Sequence, residues 1–371
     1  MATAEAMRRA AKISGADESA KVIAVSAGGK SANEKKVTDE LIAAYLLLKS
    51  GEGEGKAFSN LAVRLSQLVG ELKIKFNIAE ELMRIGDEAS KTSSPDFLTS
   101  RGEYLYARIF AQTSAREFAD SADLVKFFQS GELNVDFSRF LISERFRRGG
   151  FITSGFYGSD ENGNVRLLPR GGGDITGALL ALSVNADVYE NYTDVDGILP
   201  VPPRFVDYKT VGISPLKEIS FSQAETLCDF SVNVLHRGVL KLLKGSGIPV
   251  KVKNTFNEFS GGTLVSETSY CNEFFFAADA FGKVKPNLEK RRREWGVYDD
   301  FLSRFAMGKS DDIVCCFSAS ERSREVINAL KNSADITVCE DKNGYIAALS
   351  SIDFARLKGE LFRLIFGREK R

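Results

Sequence analysis

Glycine-rich loops, apolar helices and strands alternate along this chain, and residues 170–192 show the pattern most clearly. They read RGGGDITGALLALSVNADVYENY, in which Arg170, three glycines and Asp174 precede an apolar helix (Ile175–Val184) and a strand (Asp187–Tyr192). Glycines let the backbone approach a ligand closely, and the amides that start a helix attract anions. The stretch therefore predicts an anion site, although Asp174 is also a good N-cap and that role alone would explain it.

The elements on either side of this stretch keep the alternation. A capping box, Ser222-Gln223-Ala224-Glu225, is expected to open a long helix that ends at Gly245. The other elements expected through residue 265 are a helix over 2–13, a strand over 21–25, a helix over 37–49, helical segments between 57 and 118, a strand over 151–158, a turn over 160–164 and a strand over 248–252. Alternating strands and helices predict an α/β domain with a mainly parallel sheet over residues 1–265.

The pattern changes beyond residue 265. Residues 283–295 are densely charged, which is typical of a solvated helix or linker. Residues 311–371 follow a strand-helix-strand-strand-helix order, with the last helix over 354–366. We therefore expect residues 266–310 to be a charged linker or a diverged segment, and residues 311–371 to be a smaller α+β domain.

Composition narrows the classes of function. The 371 residues include 50 Lys and Arg and 50 Asp and Glu, so the chain lacks the basic excess of a dedicated nucleic-acid binder. No run of residues approaches the ~20 apolar positions that span a bilayer. The five cysteines lack CxxC spacing, which argues against a zinc site or a disulfide framework. We expect a cytoplasmic protein with no nucleic-acid or membrane partner.

The single histidine limits the available catalytic chemistry. A histidine base or ligand can only be His236, and this residue lies inside an apolar helical pattern, where a packed structural side chain is the expected role. Any catalysis is therefore expected to use carboxylates, cations and backbone amides.

Two further segments allow both a binding role and a plain structural role. Gly29-Lys30-Ser31 follows a strand, but a P-loop needs glycine where Ala24 stands, so a simple strand-to-loop turn is favoured. Thr193-Asp194-Val195-Asp196-Gly197 leaves a strand at the end where ligands gather in open α/β sheets. An ordinary Asp/Gly turn would produce the same residues.

Taken together, nine segments in this order resemble aspartate kinases of the amino-acid kinase superfamily over about residues 2–265. The segments are Val25-Ser26-Ala27-Gly28-Gly29-Lys30, Val37-Thr38-Asp39, Ser100-Arg101-Gly102-Glu103, Gly155-Phe156-Tyr157-Gly158, Arg170-Gly171-Gly172-Gly173-Asp174-Ile175-Thr176, Asn185-Ala186-Asp187, Thr193-Asp194-Val195-Asp196-Gly197, Val234-Leu235-His236, and Asn254-Thr255 with Gly262-Thr263.

The resemblance implies the layered fold of that superfamily and an ATP-dependent transfer of phosphate to the side-chain carboxylate of L-aspartate. This acceptor is ionised at neutral pH, so positioning and electrostatics carry the reaction without a general base. Mg²⁺ is implied to be held mainly through the nucleotide phosphates, with no protein metal site.

The resemblance also implies roles for individual residues. Asp174 would orient the catalytic cations, and Arg170 would hold the α-carboxylate of aspartate and share in catalysis. Glu103 would pair with the substrate ammonium. The remaining implied residues are Thr38 and Ser26 for aspartate, and Gly28, Thr193, Asp194, Arg204 and Val234 for the nucleotide.

Several segments depart from the family pattern. The family begins with a strand and a Lys-Phe-Gly-Gly phosphate loop that this sequence lacks, so we expect a missing natural N-terminal segment and impaired activity. Gly173 replaces the usual serine, and Val201-Pro202-Pro203-Arg204 replaces Ala-Asp-Pro-Arg. The alternative to an enzyme is a non-catalytic regulatory or interaction protein that keeps the fold, and the missing loop favours it. The enzyme is favoured by the retention of Thr38, Glu103, Arg170, Asp174 and Thr193-Asp194.

Regulation is a further implication of the resemblance. Family members usually carry paired ACT modules that bind lysine or threonine, and only residues 311–371 have an ACT-like order here. An amino-acid effector, lysine or threonine, is therefore a hypothesis. We also expect a homo-oligomer.

Overall fold

The computed structural model describes residues 3–16, 22–28, 35–92, 94–169, 171–202, 214–230, 232, 235–271, 275–280, 313–332, 336–340, 346–350 and 357. The chain divides into two compact units, Met1–Tyr189 and Glu190–Arg371.

The first unit combines helices with a small parallel sheet. Its helices are α1 (Ala4–Ala16), α2 (Val37–Lys49), α3 (Glu54–Ala57), α4 (Ser59–Leu72), α5 (Ile78–Lys91), α6 (Pro95–Thr113), α7 (Ser121–Leu124), α8 (Val135–Phe146) and α9 (Gly172–Ser183). Its strands are β1 (Val22–Val25), β2 (Phe118–Ala119), β3 (Phe151–Ser154), β4 (Tyr157–Ser159) and β5 (Val165–Leu167). The sheet order is β1-β3-β2 with all strands parallel, and β4 and β5 form an antiparallel hairpin.

Helix α6 lies at the centre of the first unit. It starts at the N-cap Ser94, whose side chain accepts from the Asp96 N–H, with Pro95 at the first helical position. Most of its side chains are buried, including the polar stretch Ser100–Glu103. It contributes Leu105, Tyr106, Ile109 and Phe110 to a hydrophobic core shared with α1, α2, α4 and α5. A central helix that buries charged residues is unusual, because ionised groups are rarely buried unless they serve a purpose.

The second unit contains two four-stranded sheets. Its elements are β6 (Tyr189–Thr193), β7 (Glu218–Ser220), α10 (Phe221–Asp229), α11 (Arg237–Leu243), β8 (Val250–Asn254), β9 (Thr263–Ser266), β10 (Phe276–Ala280), β11 (Ile313–Phe317), α12 (Glu321–Lys331), β12 (Ile336–Glu340) and β13 (Ile346–Ser350). The first sheet has the order β6-β8-β9-β7 and is mixed, since β7 is parallel and β8 antiparallel to β9. The second has the order β10-β11-β13-β12 and is antiparallel.

The predicted α/β class is confirmed, and the strand and helix over residues 22–49 lie where the sequence placed them. The predicted order of residues 311–371 is present through β13, and the expected helix over 354–366 lies outside the described residues apart from Leu357. β10 falls within the segment predicted to be a charged linker or a diverged segment, and it pairs with β11. The boundaries at 265 and 311 stay predictions.

The predicted capping box was wrong by two residues. Ser220, not Ser222, is the N-cap, and its side chain and that of Gln223 each accept from the other's backbone N–H. The shift places Phe221 at the first helical position, where its side chain is buried. Packing of this aromatic ring decides between two serines that the sequence pattern alone does not distinguish.

The predicted long helix to Gly245 was also wrong, because it is two helices, α10 and α11. His236 is not inside a helix; it is the N-cap of α11, and its Nδ1 accepts from the Gly238 N–H at 3.0 Å. This bond fits the structural role that the sequence predicts for the residue.

Candidate active site

The carboxyl ends of β1 and β3 meet the start of α9 in the first unit. β1 and β3 are parallel neighbours, with Val25 opposite Ser154, so both chains leave the sheet at the same edge. A Cβ on Gly155, just after β3, would lie 2.8 Å from the Cα of Gly173. A Cβ on Gly173 would in turn lie 2.7 Å from the Ser26 Oγ, just after β1. Backbone from three elements therefore converges at one point.

The start of α9 leaves its first amides without a side-chain cap. Gly171 is the N-cap, in the left-handed conformation with φ +85°, and has no side chain to accept from the helix. The N-cap role that the sequence allowed for Asp174 was wrong, because Asp174 is the third helical residue, with its N–H bonded to the Gly171 carbonyl at 3.0 Å. Because the capping residue is a glycine, it has no side chain to accept from the first helical amides, which are the groups that attract anions at a helix start.

Glu103 is a buried carboxylate at this site. Only 9% of the residue is exposed, and its Oε2 has no hydrogen-bond donor among the described residues. Burial raises the pKa of Glu103 to about 7, against the opposing effects of its own backbone N–H, the Ala27 N–H and the positive charge of Arg101. Burying an oxygen without a hydrogen-bond donor costs free energy. A cation bound beside that oxygen would compensate this cost.

A glycine allows Glu103 to lie beside the loop that follows β1. A Cβ on Gly102 would lie 3.1 Å from a methyl of Val37 and 3.4 Å from the Ala27 Cβ. α6, the start of α2 and the β1 loop therefore pack closely at this point. Thr38 follows Val37 in the first turn of α2 and is half-buried. This packing places the start of α2, which carries Thr38, beside α6 and the β1 loop.

Gly28 contacts α6 on the same loop. A Cβ at this position would overlap the ring of Tyr106, which is completely buried. Only glycine fits between the loop and this ring. The residue that the sequence predicts for nucleotide binding thus also has a packing role.

The predicted nucleotide residues Thr193 and Asp194 lie in the second unit, at the end of β6. The Thr193 hydroxyl donates to the Asp194 carboxylate at 3.2 Å. Asp196, the second acid of this segment, stabilises the loop: its Oδ1 accepts from the side-chain amides of Asn254 at 2.7 Å and Asn257 at 3.0 Å. These contacts stabilise the loop, and its binding role stays a prediction.

Three predicted site residues, Arg170, Arg204 and Val234, lie outside the described residues. Of the rest, the structure brings Ser26, Thr38, Glu103 and Asp174 to one end of the first unit. Their roles stay predictions. Sequence reasoning missed Gly155 and Arg101, although both lie within quoted motifs, because their contacts are made across distant parts of the chain.

The described residues contain no group of three or more His, Cys, Asp and Glu side chains placed to hold a metal ion. None of the described helices combines the length and the apolar character required to cross a bilayer.

Comparison with known proteins places this geometry in a family. The sequence profile described as the amino acid kinase family matches residues 1–254, more than half of the chain. The chain belongs to the amino acid kinase family. Curated relatives include aspartokinase 3 of Bacillus subtilis strain 168, which is 31% identical over 266 residues, covering 67% of this chain and 58% of that protein. Lysine-sensitive aspartokinase 3 of Escherichia coli K12 is 29% identical over 286 residues, covering 70% and 61%.

Solved structures show the same fold for this amino acid kinase family member. Aspartate kinase of Clostridium acetobutylicum superposes with a TM-score of 0.78 at 24% identity, covering 98% of this chain and 97% of that one. E. coli aspartokinase III in complex with aspartate and ADP gives a TM-score of 0.71 at 20% identity, with the same coverage. The resemblance to aspartate kinases is thereby confirmed. The chain spans about three-fifths of the length of the curated relatives it matches.

The glycine contact between β3 and α9 predicts a large loss of stability for one variant. Gly155→Ala is expected to destabilise the protein by ~2 kcal/mol or more, because the new methyl meets the backbone of Gly173 and forces the strand end and the helix apart. Gly173→Ala is the matched control, since its methyl meets only the rotatable Ser26 hydroxyl, and we expect a change within ~1 kcal/mol. Urea unfolding measures both, and equal losses would contradict this account of the contact.

Because burial raises the pKa of Glu103, replacing this residue is predicted to increase the stability of the protein by an amount that depends on pH. The folded protein holds the Glu103 proton more tightly (pKa about 7) than the ordinary value of 4.5, so ionising this group costs stability as pH rises from 4.5 to 7. Glu103→Gln is therefore expected to stabilise the protein by ~3 kcal/mol near pH 8, and by under ~1 kcal/mol near pH 5. Chemical denaturation at the two pH values measures the difference. A stability increase that is the same at both pH values would show that burial does not destabilise the ionised form of Glu103.

Proposed function

We propose that this chain transfers the γ-phosphoryl group of ATP to the side-chain carboxylate of L-aspartate. One observation carries the proposal: the dipeptide Ser26-Ala27 contacts both a buried carboxylate and an uncapped helix start. Ala27 donates its N–H toward Glu103, and Ser26 lies against Gly173 in the first turn of α9. These two residues thus lie beside both an acceptor for a cation and donors for an anion.

An amino acid with an acidic side chain suits these groups. Its ammonium would pair with the Glu103 oxygen that has no donor among the described residues, and the salt bridge would recover the desolvation cost of that carboxylate. Thr38, half-buried in the first turn of α2, would add a hydroxyl contact, and Ser26 would line the cleft. Arg170 would hold the α-carboxylate in a bidentate pair. The acidic side chain then points toward the start of α9.

The reaction needs charge to be stabilised more than it needs proton transfer. The acceptor carboxylate is already ionised, so the protein must bring two anions together and stabilise the charge on the transferring phosphoryl group. In this proposal the α9 amides, Arg170 and Asp174 would stabilise that charge, and Asp174 would orient the cations. Thr193, Asp194, Arg204, Gly28 and Val234 would hold the nucleotide. Mg²⁺ would supply further positive charge, held mainly by the nucleotide phosphates.

The relatives support this substrate pair. Curated relatives at 31% and 29% identity are aspartokinases, and one protein of the same fold was solved with aspartate and ADP bound. Another structure of that protein holds lysine and aspartate. An amino-acid effector such as lysine or threonine, a homo-oligomeric state and a cytoplasmic location remain part of the proposal.

A hydroxamate assay tests the proposed activity. Aspartyl phosphate reacts with hydroxylamine to give a coloured hydroxamate, so product should form only when L-aspartate, MgATP and this chain are all present. L-Glutamate in place of L-aspartate is the control for the acceptor. Absence of any ATP-dependent hydroxamate, with ATP and aspartate both in excess, would contradict the proposal and favour a non-catalytic protein with this fold.

A further inference from the structure

Helix α2 is apolar on the face that it exposes as well as on the face that it buries. Residues 41–48 read LIAAYLLL, an unbroken apolar run. Val37, Leu41 and Ala44 are buried in the first unit. A helix that is apolar all round is normally buried on every side, whereas a surface helix carries polar residues on its outer face. α2 therefore has an apolar outer face that the single chain leaves uncovered.

The uncovered face is a narrow stripe along the helix. Ile42, Ala43 and Leu46 are exposed, and the exposed fraction is 42% for Ile42 and 64% for Leu46. Residues three and four apart lie on one side of a helix, so Asp39 and Lys49 continue the same stripe at its two ends, and both are exposed. We call these five residues the α2 stripe. It is apolar in the middle, acidic at its N-terminal end and basic at its C-terminal end.

The α2 stripe is complementary to itself when its direction is reversed. Asp39 and Lys49 lie at equal distances along the sequence on either side of residue 44, and so do Ile42 and Leu46. When two copies of α2 pack antiparallel about a two-fold axis at this height, each Asp39 lies opposite Lys49 of the other copy. Each Ile42 likewise lies opposite Leu46. A two-fold interface requires such a relation, because every contact in it occurs twice.

The charged ends of the stripe favour the antiparallel arrangement over a parallel one. The Lys49 ammonium donates to the Thr92 carbonyl oxygen at 3.0 Å and lies 5.5 Å from the centroid of the Tyr45 ring, so it is held at the end of the stripe. An ammonium has three donors, and the bond to Thr92 uses one of them. In a parallel pair like charges would meet. The antiparallel pair brings opposite charges together and also opposes the two helix dipoles.

We propose that the α2 stripe is the surface through which two copies of this chain associate. The stripe is small compared with the roughly 20–30 residues a side of a standard interface, so we expect a weak dimer with a Kd on the order of 10 µM. The inference concerns association and does not rest on the proposed function. Thr38 immediately precedes Asp39, so association also holds the first turn of α2 beside the candidate site.

Zero-length cross-linking tests the pairing of the two ends directly. A carbodiimide joins a carboxylate to a lysine amine only when the two are in contact, with loss of water, and mass spectrometry identifies the joined peptides. Asp39 and Lys49 of one chain are separated by about 15 Å of helix, so a product that joins them comes from two chains. We expect this product from the full chain, and its loss in Leu46→Glu. Absence of the product from a chain that forms dimers overturns the proposal.

Sedimentation equilibrium of the same variants measures the strength of association. Leu46→Glu is expected to weaken dimerisation about 100-fold, because the two-fold axis brings two carboxylates into the apolar contact. Val63→Glu is the matched control, since Val63 is 70% exposed on α4, outside the stripe. Its Kd should stay within about twofold of the unaltered chain. Equal losses in Leu46→Glu and Val63→Glu overturn the proposal, because they would show an effect of net charge.

Charge reversal distinguishes the antiparallel pair from any other use of the stripe. Asp39→Lys and Lys49→Asp are each expected to weaken association about tenfold, since each places like charges opposite one another at both ends. The variant with both substitutions should recover the original Kd, because opposite charges face each other again. Recovery supports the proposal, and two losses that simply add overturn it.

The stripe has other conceivable occupants, and the same measurements identify them. A chain that stays monomeric well above the expected Kd overturns the proposal. In that case, binding to phosphatidylglycerol vesicles that is lost in Leu46→Glu but kept in Val63→Glu would identify a membrane surface as the occupant.

Discussion

Asp174→Asn is expected to lower kcat for aspartate phosphorylation by about 100- to 1000-fold while leaving the fold intact. The residue lies in the first turn of α9, and its backbone N–H bonds to the Gly171 carbonyl. The amide keeps the size of the side chain but removes the charge that would orient the catalytic cations. Loss of one preorganised electrostatic group typically costs this much in rate.

Steady-state kinetics with the hydroxamate assay measures this effect. The control is Asp96→Asn, because Asp96 lies in the first turn of α6, where it is an ordinary acidic residue at a helix start. Its kcat should stay within about twofold of the unaltered chain. A small effect of Asp174→Asn, comparable with that of the control, would remove Asp174 from the catalytic machinery.

Glu103→Gln is expected to weaken the binding of L-aspartate by about 100-fold. The substituted side chain keeps its shape and an oxygen, but the ammonium of the substrate loses a buried ionic partner. Charged hydrogen bonds in buried sites are worth ~2–3 kcal/mol, which corresponds to this change in Kd. The same substitution should stabilise the unliganded protein near pH 8. Weaker binding together with higher stability is the result expected for a carboxylate whose burial destabilises the free protein and which binds the substrate.

Isothermal titration calorimetry measures the affinity, with Glu132→Gln as the matched control. Glu132 is an exposed glutamate in the loop before α8 and should bind aspartate like the unaltered chain. Equal losses in the two variants would show that the effect comes from net charge and has no connection with the cleft.

The sequence predicts the features that depend on local residue patterns. The short apolar run at residues 22–25, the helix over 37–49 and the turn at 160–164 all follow from hydrophobic periodicity and turn residues, and the structure has them in place. The family resemblance could be drawn because the order of the motifs survives in the sequence. None of these features depends on contacts between residues that lie far apart in the sequence.

The features that sequence missed depend on tertiary contacts. The N-cap of α9 is Gly171 because its φ is positive, and nothing in the sequence distinguishes it from its two glycine neighbours. Buried Phe221 fixes the true start of α10. The Arg101 guanidinium of α6 lies over the ring of Tyr157, 56 positions along the sequence, and no spacing rule connects the two. For the same reason, the sequence motifs that contain Gly155 and Gly173 do not reveal the contact between these two residues.

The assignment of Glu103 to the substrate ammonium is tested most directly by carbon-13 NMR. The titration of the Glu103 carboxyl carbon is followed while L-aspartate is added. Saturating L-aspartate is expected to lower the titration midpoint of Glu103 by one pH unit or more, because the bound ammonium favours the carboxylate. Succinate, which has both carboxylates but no ammonium, should leave the midpoint unchanged or raise it. If saturating L-aspartate leaves the midpoint where it is in the free protein, or if succinate lowers it equally, the ammonium does not lie at Glu103 and the assignment of this cleft is wrong.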